Sequence, residues 1–253
     1  MRQSNTYILL FTAALTIVVG GLLSLASQGL APAQKISVEL DTKTQILSSV
    51  MDRNELAKLK KDEVLNLYKA RIQSLVVDIN GEEVLKNAKG NPMIAEEVDI
   101  SKNYKKTPEE RVYPVFKYMD EKDPTQVDAY ILPLYGAGLW DKIWGYVALK
   151  SDLNTIAGTS FDHKSETPGL GARIASSEVQ NRFVGKHIYD DAGNLVSVTM
   201  VKGEGHTGLT DHEVDGMSGA TITGRGLTDM LENYLSYYQS YFKKVNSGSV
   251  ANL

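Results

Sequence analysis

No cysteine occurs among the 253 residues of the chain. That excludes disulfides, thiolate nucleophiles, Cys-ligated zinc and iron–sulfur clusters held by this chain alone. Histidine is scarce too: His163, His187, His206 and His212 are the four present, and none forms an HxxxH or HExxH pair. His206 and His212 stand six apart in a polar loop, and no metal site is expected there. Excess positive charge is also missing. With 27 Lys and Arg against 31 Asp and Glu, a net charge of −4 and the two signs mixed along the chain, there is no basic stripe to hold nucleic acid, which is not expected as a partner. No GxGxxG follows an expected strand, and no Lys follows a glycine loop in the Walker manner, so nothing in the chain points to direct binding of a dinucleotide. An apolar content of 42% is that of a folded protein with a substantial core.

One stretch lacks charge altogether. From Gln3 to Gln34 no residue is charged, and residues 7–26 read YILLFTAALTIVVGGLLSLA. Twenty such residues in a helix cross a hydrocarbon core of about 30 Å. A cleaved signal peptide is the competing reading, with Arg2 as its basic start and Ala31 and Ala33 as small residues after it. The apolar run is longer than the core of such peptides, which favours a retained anchor over residues 7–27. Arg2 and the amino terminus are the only positive charges before the span, and Lys35 comes with Glu39 and Asp41 after it. The expected orientation therefore has residues 1–6 in the cytoplasm and everything after residue 30 outside.

Residues 35–122 are charged and helix-prone, and Ile46, Val50, Leu56, Leu59, Val64, Leu65 and Leu67 stand at amphipathic spacing. They are expected to form a membrane-proximal helical or mixed region. It contains a strand at 74–79 before the Asn80-Gly81 turn signal, and a Pro-punctuated connection follows over 87–125. Residues 123–246 read as a second domain. DAYILPLYG and GLWDKIWGYVALK suit a hairpin through Gly136 and Gly138, and NTIAGTSFDH suits a third strand. The loop KSETPGLGARI, a short helix at 176–185 and a fourth strand at 194–203 come next, and then a Gly- and His-bearing loop over 203–214. From Gly224 the apolar residues Leu227, Met230, Leu231, Tyr234, Leu235, Tyr238 and Phe242 follow a period of 3.6, which predicts a helix of about six turns. The expected class is α+β, with an antiparallel-rich sheet and packed helices after a single transmembrane helix.

Between that loop and that helix lies DGMSGATIT, residues 215–223. Gly219 and Ala220 leave the backbone uncovered just where a helix begins. Free N–H groups at a helix start suit an anion, phosphate above all. The hydroxyls of Ser218, Thr221 and Thr223 add donors, although Ser218 or Thr221 would equally serve as a plain N-cap. No base is evident beside a Thr nucleophile, so no catalytic residue is expected.

The string Asp215-Gly216-Met217-Ser218-Gly219-Ala220-Thr221 resembles the Asp-x-x-Ser/Thr-Gly-Ala-Thr motif at which a flavin transferase attaches FMN in the FMN-binding domain family. ETPGLGARI at 166–174 is similar to that family's second signature. GLWDKIWGYVAL and DLNTIAGTSF look most like the C subunits of the sodium-translocating NADH:quinone oxidoreductases. The related G subunits of Rnf complexes usually have Gly-Asp-Lys after Pro-Gly-Leu, where this chain has Gly171-Ala172-Arg173.

The resemblance implies FMN joined through its phosphate to Thr221, with Ser218, Gly219 and Ala220 around the phosphate. It also implies Glu166, Thr167, Gly169 and Leu170 against the isoalloxazine, and Trp140 or Trp144 stacked nearby unless they are sheet core. Lys202 is a candidate for offsetting negative charge, or a solvated strand-end residue. Asp215 would help the transferase recognise its acceptor, or simply shape the turn. The implied partners are a flavin transferase during maturation and the other subunits of a membrane redox complex, through which alone NADH and quinone (ubiquinone) are reached, with sodium exported by the whole. An Rnf-type subunit serving ferredoxin and NAD, and a cofactor-free tethered module, are the alternatives.

Overall fold

The computed structural model describes residues 4–248. Arg2, on which the expected orientation rests, lies outside the described residues. The chain forms two compact units, one up to Lys43 and one from Thr44 onward. The apolar run belongs to helix α1, Asn5–Ser48, which is long and apolar enough to cross a membrane. The helix does not end at residue 27. It runs on through Pro32, because a change from apolar to polar side chains alters what surrounds a helix and not its backbone hydrogen bonds.

In the second unit, α2 (Arg53–Leu56), α3 (Lys61–Arg71) and α4 (Ile100–Asn103) lead into and between the strands of one sheet. The strands are β1 (Ile72–Val77), β2 (Tyr113–Met119), β3 (Val127–Ala137), β4 (Lys142–Lys150) and β5 (Ile156–His163), antiparallel in the order β1-β2-β3-β4-β5. β1 starts two residues before the expected strand, and β2 falls inside the expected connection. β2 pairs with β3 through Phe116↔Ile131 and with β1 through Leu75↔Val115. A division at residues 122/123 would therefore cut one hydrogen-bonded sheet, and the boundary at Lys43/Thr44 replaces it.

After β5 come a 3-10 turn at Gly171–Ala175 and α5, Ser177–Asn181. The expected fourth strand shrinks to β6, Thr199–Met200, paired in parallel with β7, Glu213–Val214. Ser197 stops the extended run because its φ is +58°, a left-handed conformation no strand accommodates.

The last helix, α6, spans Thr221–Asn246, starting three residues before the expected Gly224. Its apolar face covers the sheet: Leu227, Leu231, Tyr234, Leu235 and Tyr238 bury against Tyr113, Val115, Leu132 and Leu134. The Tyr238 hydroxyl donates to Pro114 O at 2.7 Å, which satisfies a polar atom inside this core. Near its start the helix meets the end of β3 so closely that a Cβ on Gly226 would stand 2.1 Å from Ala137 O. The class is α+β, as expected. The fold delivers β7 into the 215–220 turn, and β5 into the 164–171 loop beside it.

Candidate functional site

α6 begins at Thr221 itself, with Ala220 as N-cap and no side-chain cap. Neither Ser218 nor Thr221 caps the helix. Thr221 is its first residue, half-buried, and Ser218 and Gly219 before it are exposed. The first N–H groups of the helix are thus left without a side-chain acceptor, and the positive end of the helix dipole points out through a turn with no bulk. Gly219 has φ +74°, and a Cβ on it would meet Leu170 Cδ2 at 2.8 Å. The second sequence signature therefore lies directly against the first. Leu170 is 41% exposed and Ile222 58%, an apolar surface open to solvent at the helix start.

Behind this surface is a buried carboxylate. Glu166 is 4% exposed. Its Oε1 accepts from Trp140 N at 3.0 Å, and its Oε2 from Thr223 Oγ1 at 2.5 Å. Glycine makes the space: a Cβ on Gly138 would lie 2.5 Å from Oε1, and one on Gly171 would lie 2.4 Å from Oε2. The single bond from Thr223 couples the 166 loop to the first turn of α6 across 57 residues of sequence. Trp140 is 68% exposed, and its indole N–H donates to Thr167 Oγ1 at 3.2 Å.

Three charged residues brace the turn from below. Glu204 Oε2 accepts from Ser218 N at 3.3 Å and from Arg173 Nη1 at 2.9 Å, and its Oε1 accepts from Arg182 Nη2 at 2.8 Å. The Arg173 and Arg182 hydrogen bonds, joined by the Ser218 N–H, hold the Glu204 carboxyl well below the usual range. Arg182 Nη1 donates to Asp215 O at 3.1 Å and also to Gly216 O. Asp215 points the other way. Its Oδ2 accepts from Gly205 N at 2.7 Å, and its Oδ1 accepts from His206 N at 3.1 Å and lies 2.8 Å from His206 Nδ1. Partial burial would raise the Asp215 carboxyl, but these donors, the Gly205 N–H foremost, hold it at about 2.

The structure thus brings together Trp140, Glu166, Thr167 and Leu170 from one side and Ser218, Gly219, Ala220 and Thr221 from the other. Gly169, at φ +76°, provides the turn that presents Leu170. Lys202 is exposed and has no carboxylate within 4.0 Å among the described residues. Glu204, two residues on, is the side chain that reaches the turn. Trp144 is half-buried on β4, opposite Tyr135 and Asp162. Sequence reasoning missed Arg173, Arg182, Glu204 as a brace, and the role of Thr223. The arrangement has backbone donors for an anion, the hydroxyls of Ser218 and Thr221 at the point of approach, and an apolar surface beside it.

The chain is similar to known proteins. The FMN-binding domain family matches residues 138–236, a stretch that includes both signatures. The chain is 32% identical over 247 residues to the C subunit of the Na(+)-translocating NADH-quinone reductase of Pseudomonas aeruginosa, covering 92% of each chain. It is 28% identical over 249 residues to the protein of the same name from Vibrio alginolyticus, covering 93% of each. Among solved structures, that of the Na(+)-translocating NADH-quinone reductase C subunit from Parabacteroides distasonis matches with a TM-score of 0.68 at 37% identity, covering 84% of this chain and 96% of that one. Shewanella oneidensis NqrC matches with a TM-score of 0.69 at 25% identity, covering 85% and 99%.

Proposed function

We infer the role of this chain from one premise: it belongs to the family of C subunits of the Na(+)-translocating NADH-quinone reductases. The chain is an electron-transfer subunit of such a complex and carries FMN, covalently attached through its phosphate to Thr221. The observation that carries this reading is the position of Thr221 as the first residue of an uncapped helix, inside the Asp215–Thr221 string and under a glycine with φ +74°.

The residues present fit the group. A phosphodiester remains an anion after esterification, and the open N–H groups of α6 favour negative charge there by roughly 0.3–1 kcal/mol at an exposed helix end. The exposed side chains of Leu170, Ile222 and Trp140 offer apolar and aromatic surface for a flavin ring. Glu166 stays buried behind them, fixed by Thr223 and the Trp140 N–H. When bound, FMN supplies the redox chemistry, and the protein supplies position and electrostatics. The Arg182–Glu204 brace holds the backbone of the acceptor turn, so that the Thr221 hydroxyl is presented from a fixed frame. Asp215 closes the loop over Gly205 and His206 and thereby shapes the surface that a flavin transferase would read.

Electrons from NADH reach this chain and leave it toward quinone through the other subunits, and sodium export belongs to the assembled complex. Helix α1 anchors the chain in the inner membrane as a single pass, with the N-terminus cytoplasmic and the unit from Thr44 onward periplasmic.

The test is in-gel ultraviolet fluorescence of the denatured full-length chain produced together with a flavin transferase. A fluorescent band is expected in the unaltered chain and none in Thr221→Ala. No band in the unaltered chain refutes the covalent cofactor, and a band surviving Thr221→Ala moves the attachment site. Deletion of the gene should abolish NADH-driven quinone reduction in membranes.

A further inference from the structure

A polar cavity lies along α6, with Gly226 and Ala137 among its lining residues. Its walls include Tyr104, Arg111, Tyr135, Asp229, Asn233 and Tyr234. Arg111 is only 9% exposed. Its Nε donates to Lys106 O and its Nη2 to Tyr104 O, each at 2.9 Å. The guanidinium stands 5.0 Å from the ring centre of Tyr104 and 5.5 Å from that of Tyr237. Among the described residues no carboxylate lies within 4.0 Å of it.

Aromatic faces offset part of the desolvation of a buried cation, but a counter-charge offsets more. The second observation is independent of the first. Tyr234 is 2% exposed, and its hydroxyl has no hydrogen-bond partner. A buried hydroxyl without a partner is costly, and Tyr234 lines the same cavity as a cation that has donor capacity left.

We propose that this cavity binds a carboxylate, held between the Arg111 guanidinium and the Tyr234 hydroxyl. Two donors of different residues match the two oxygens of a carboxylate. A single buried positive charge balances a monoanion. A phosphate dianion would leave uncompensated charge inside. Two sources present this chemistry, a free organic acid and an Asp or Glu side chain of a neighbouring subunit.

The experiment uses the full-length chain in detergent, as the unaltered protein, Arg111→Gln and Tyr234→Phe. Each is titrated with millimolar acetate, benzoate and, as control, inorganic phosphate, and Tm is read. Acetate or benzoate should raise the Tm of the unaltered chain, and phosphate should not. Arg111→Gln should abolish the rise, and Tyr234→Phe should weaken binding about tenfold. Without acid, Tyr234→Phe should melt no lower than the unaltered chain, since the hydroxyl it removes has no protein partner. Where neither acid shifts Tm, recovery of the assembled complex separates the sources: a loss with both Arg111→Gln and Tyr234→Phe assigns the carboxylate to a neighbouring subunit. No shift together with normal assembly of both variants overturns the proposal, as does an equal shift in all three proteins. Repeating the titration in a Thr221→Ala background gives the same answer whether or not the flavin is attached, so the two readings fail separately.

Discussion

The first turn of α6 and the body of the same helix are built on opposite terms. In the body, Tyr234, Tyr238, Tyr241 and Phe242 are each at most 2% exposed, with rings in edge and stacked contact. In the first turn, Ala220 offers no side-chain cap, Ile222 faces solvent, and the preceding glycine holds a conformation that side chains avoid. The difference shows where the stability of the helix comes from. Most helical stability in a protein comes from packing of an apolar face. The aromatic packing of the body therefore leaves the first turn free of any duty to cap or cover itself, and a functional hydroxyl can sit there without loss of the fold.

That division of labour can be broken from the body end first. Tyr238→Ala should remove roughly 3–5 kcal/mol of stability, since it empties a fully buried ring site and orphans Pro114 O, and urea unfolding measures it. Thr223→Val strikes the junction between the two regions. It keeps the shape but deprives the buried Glu166 of a donor, and a loss of about 1–3 kcal/mol is expected, with reduced flavin content. Gly219→Val should lower stability by about 1–3 kcal/mol through left-handed strain at a β-branched residue. It should also prevent flavin attachment by crowding the turn against Leu170, which in-gel fluorescence reads.

Asp215→Asn acts through pH. The Asp215 carboxyl is held at about 2 against an ordinary 3.8, so its stabilisation is complete above the unfolded value and is lost as pH falls from about 4 toward 2. The variant should flatten that acid limb by losing the stabilisation at neutral pH, and its urea-unfolding stability should converge with that of the unaltered chain as pH falls toward 2. Thr221→Ala should change stability by no more than about 0.5 kcal/mol while eliminating covalent flavin. A large destabilisation there would show that the first turn is structural after all.

Legibility in the sequence follows the same contrast. The body of α6 is readable because Leu227 to Phe242 repeat at 3.6, and β3, β4 and β5 because they are aromatic and aliphatic between turn signals. Periodicity places the start of α6 three residues late, since Thr221, Ile222 and Thr223 carry no apolar period. β2 is hidden because Pro114 and Lys117 interrupt it, yet Pro114 pairs with Val76 and offers its carbonyl to Tyr238. The strand expected over 194–203 is continuous in pattern, but the left-handed Ser197 divides it. At the site, the seven-residue string is legible as a pattern. The contacts that hold it are not, because Arg182 with Gly216, Glu204 with Ser218 and Glu166 with Thr223 join segments that only the fold brings near.

The uncapped start of α6 also sets a clock. Amides with no acceptor exchange their hydrogens with solvent quickly, whereas amides a few turns on, sealed under tyrosine rings, open only with larger fluctuations. One helix thus carries its fastest and slowest backbone hydrogens within a few turns of each other. The fast ones at Thr221 and Ile222 are those an attached phosphate would occupy, so deuterium uptake there reports loading directly, with the rest of the helix as an internal standard.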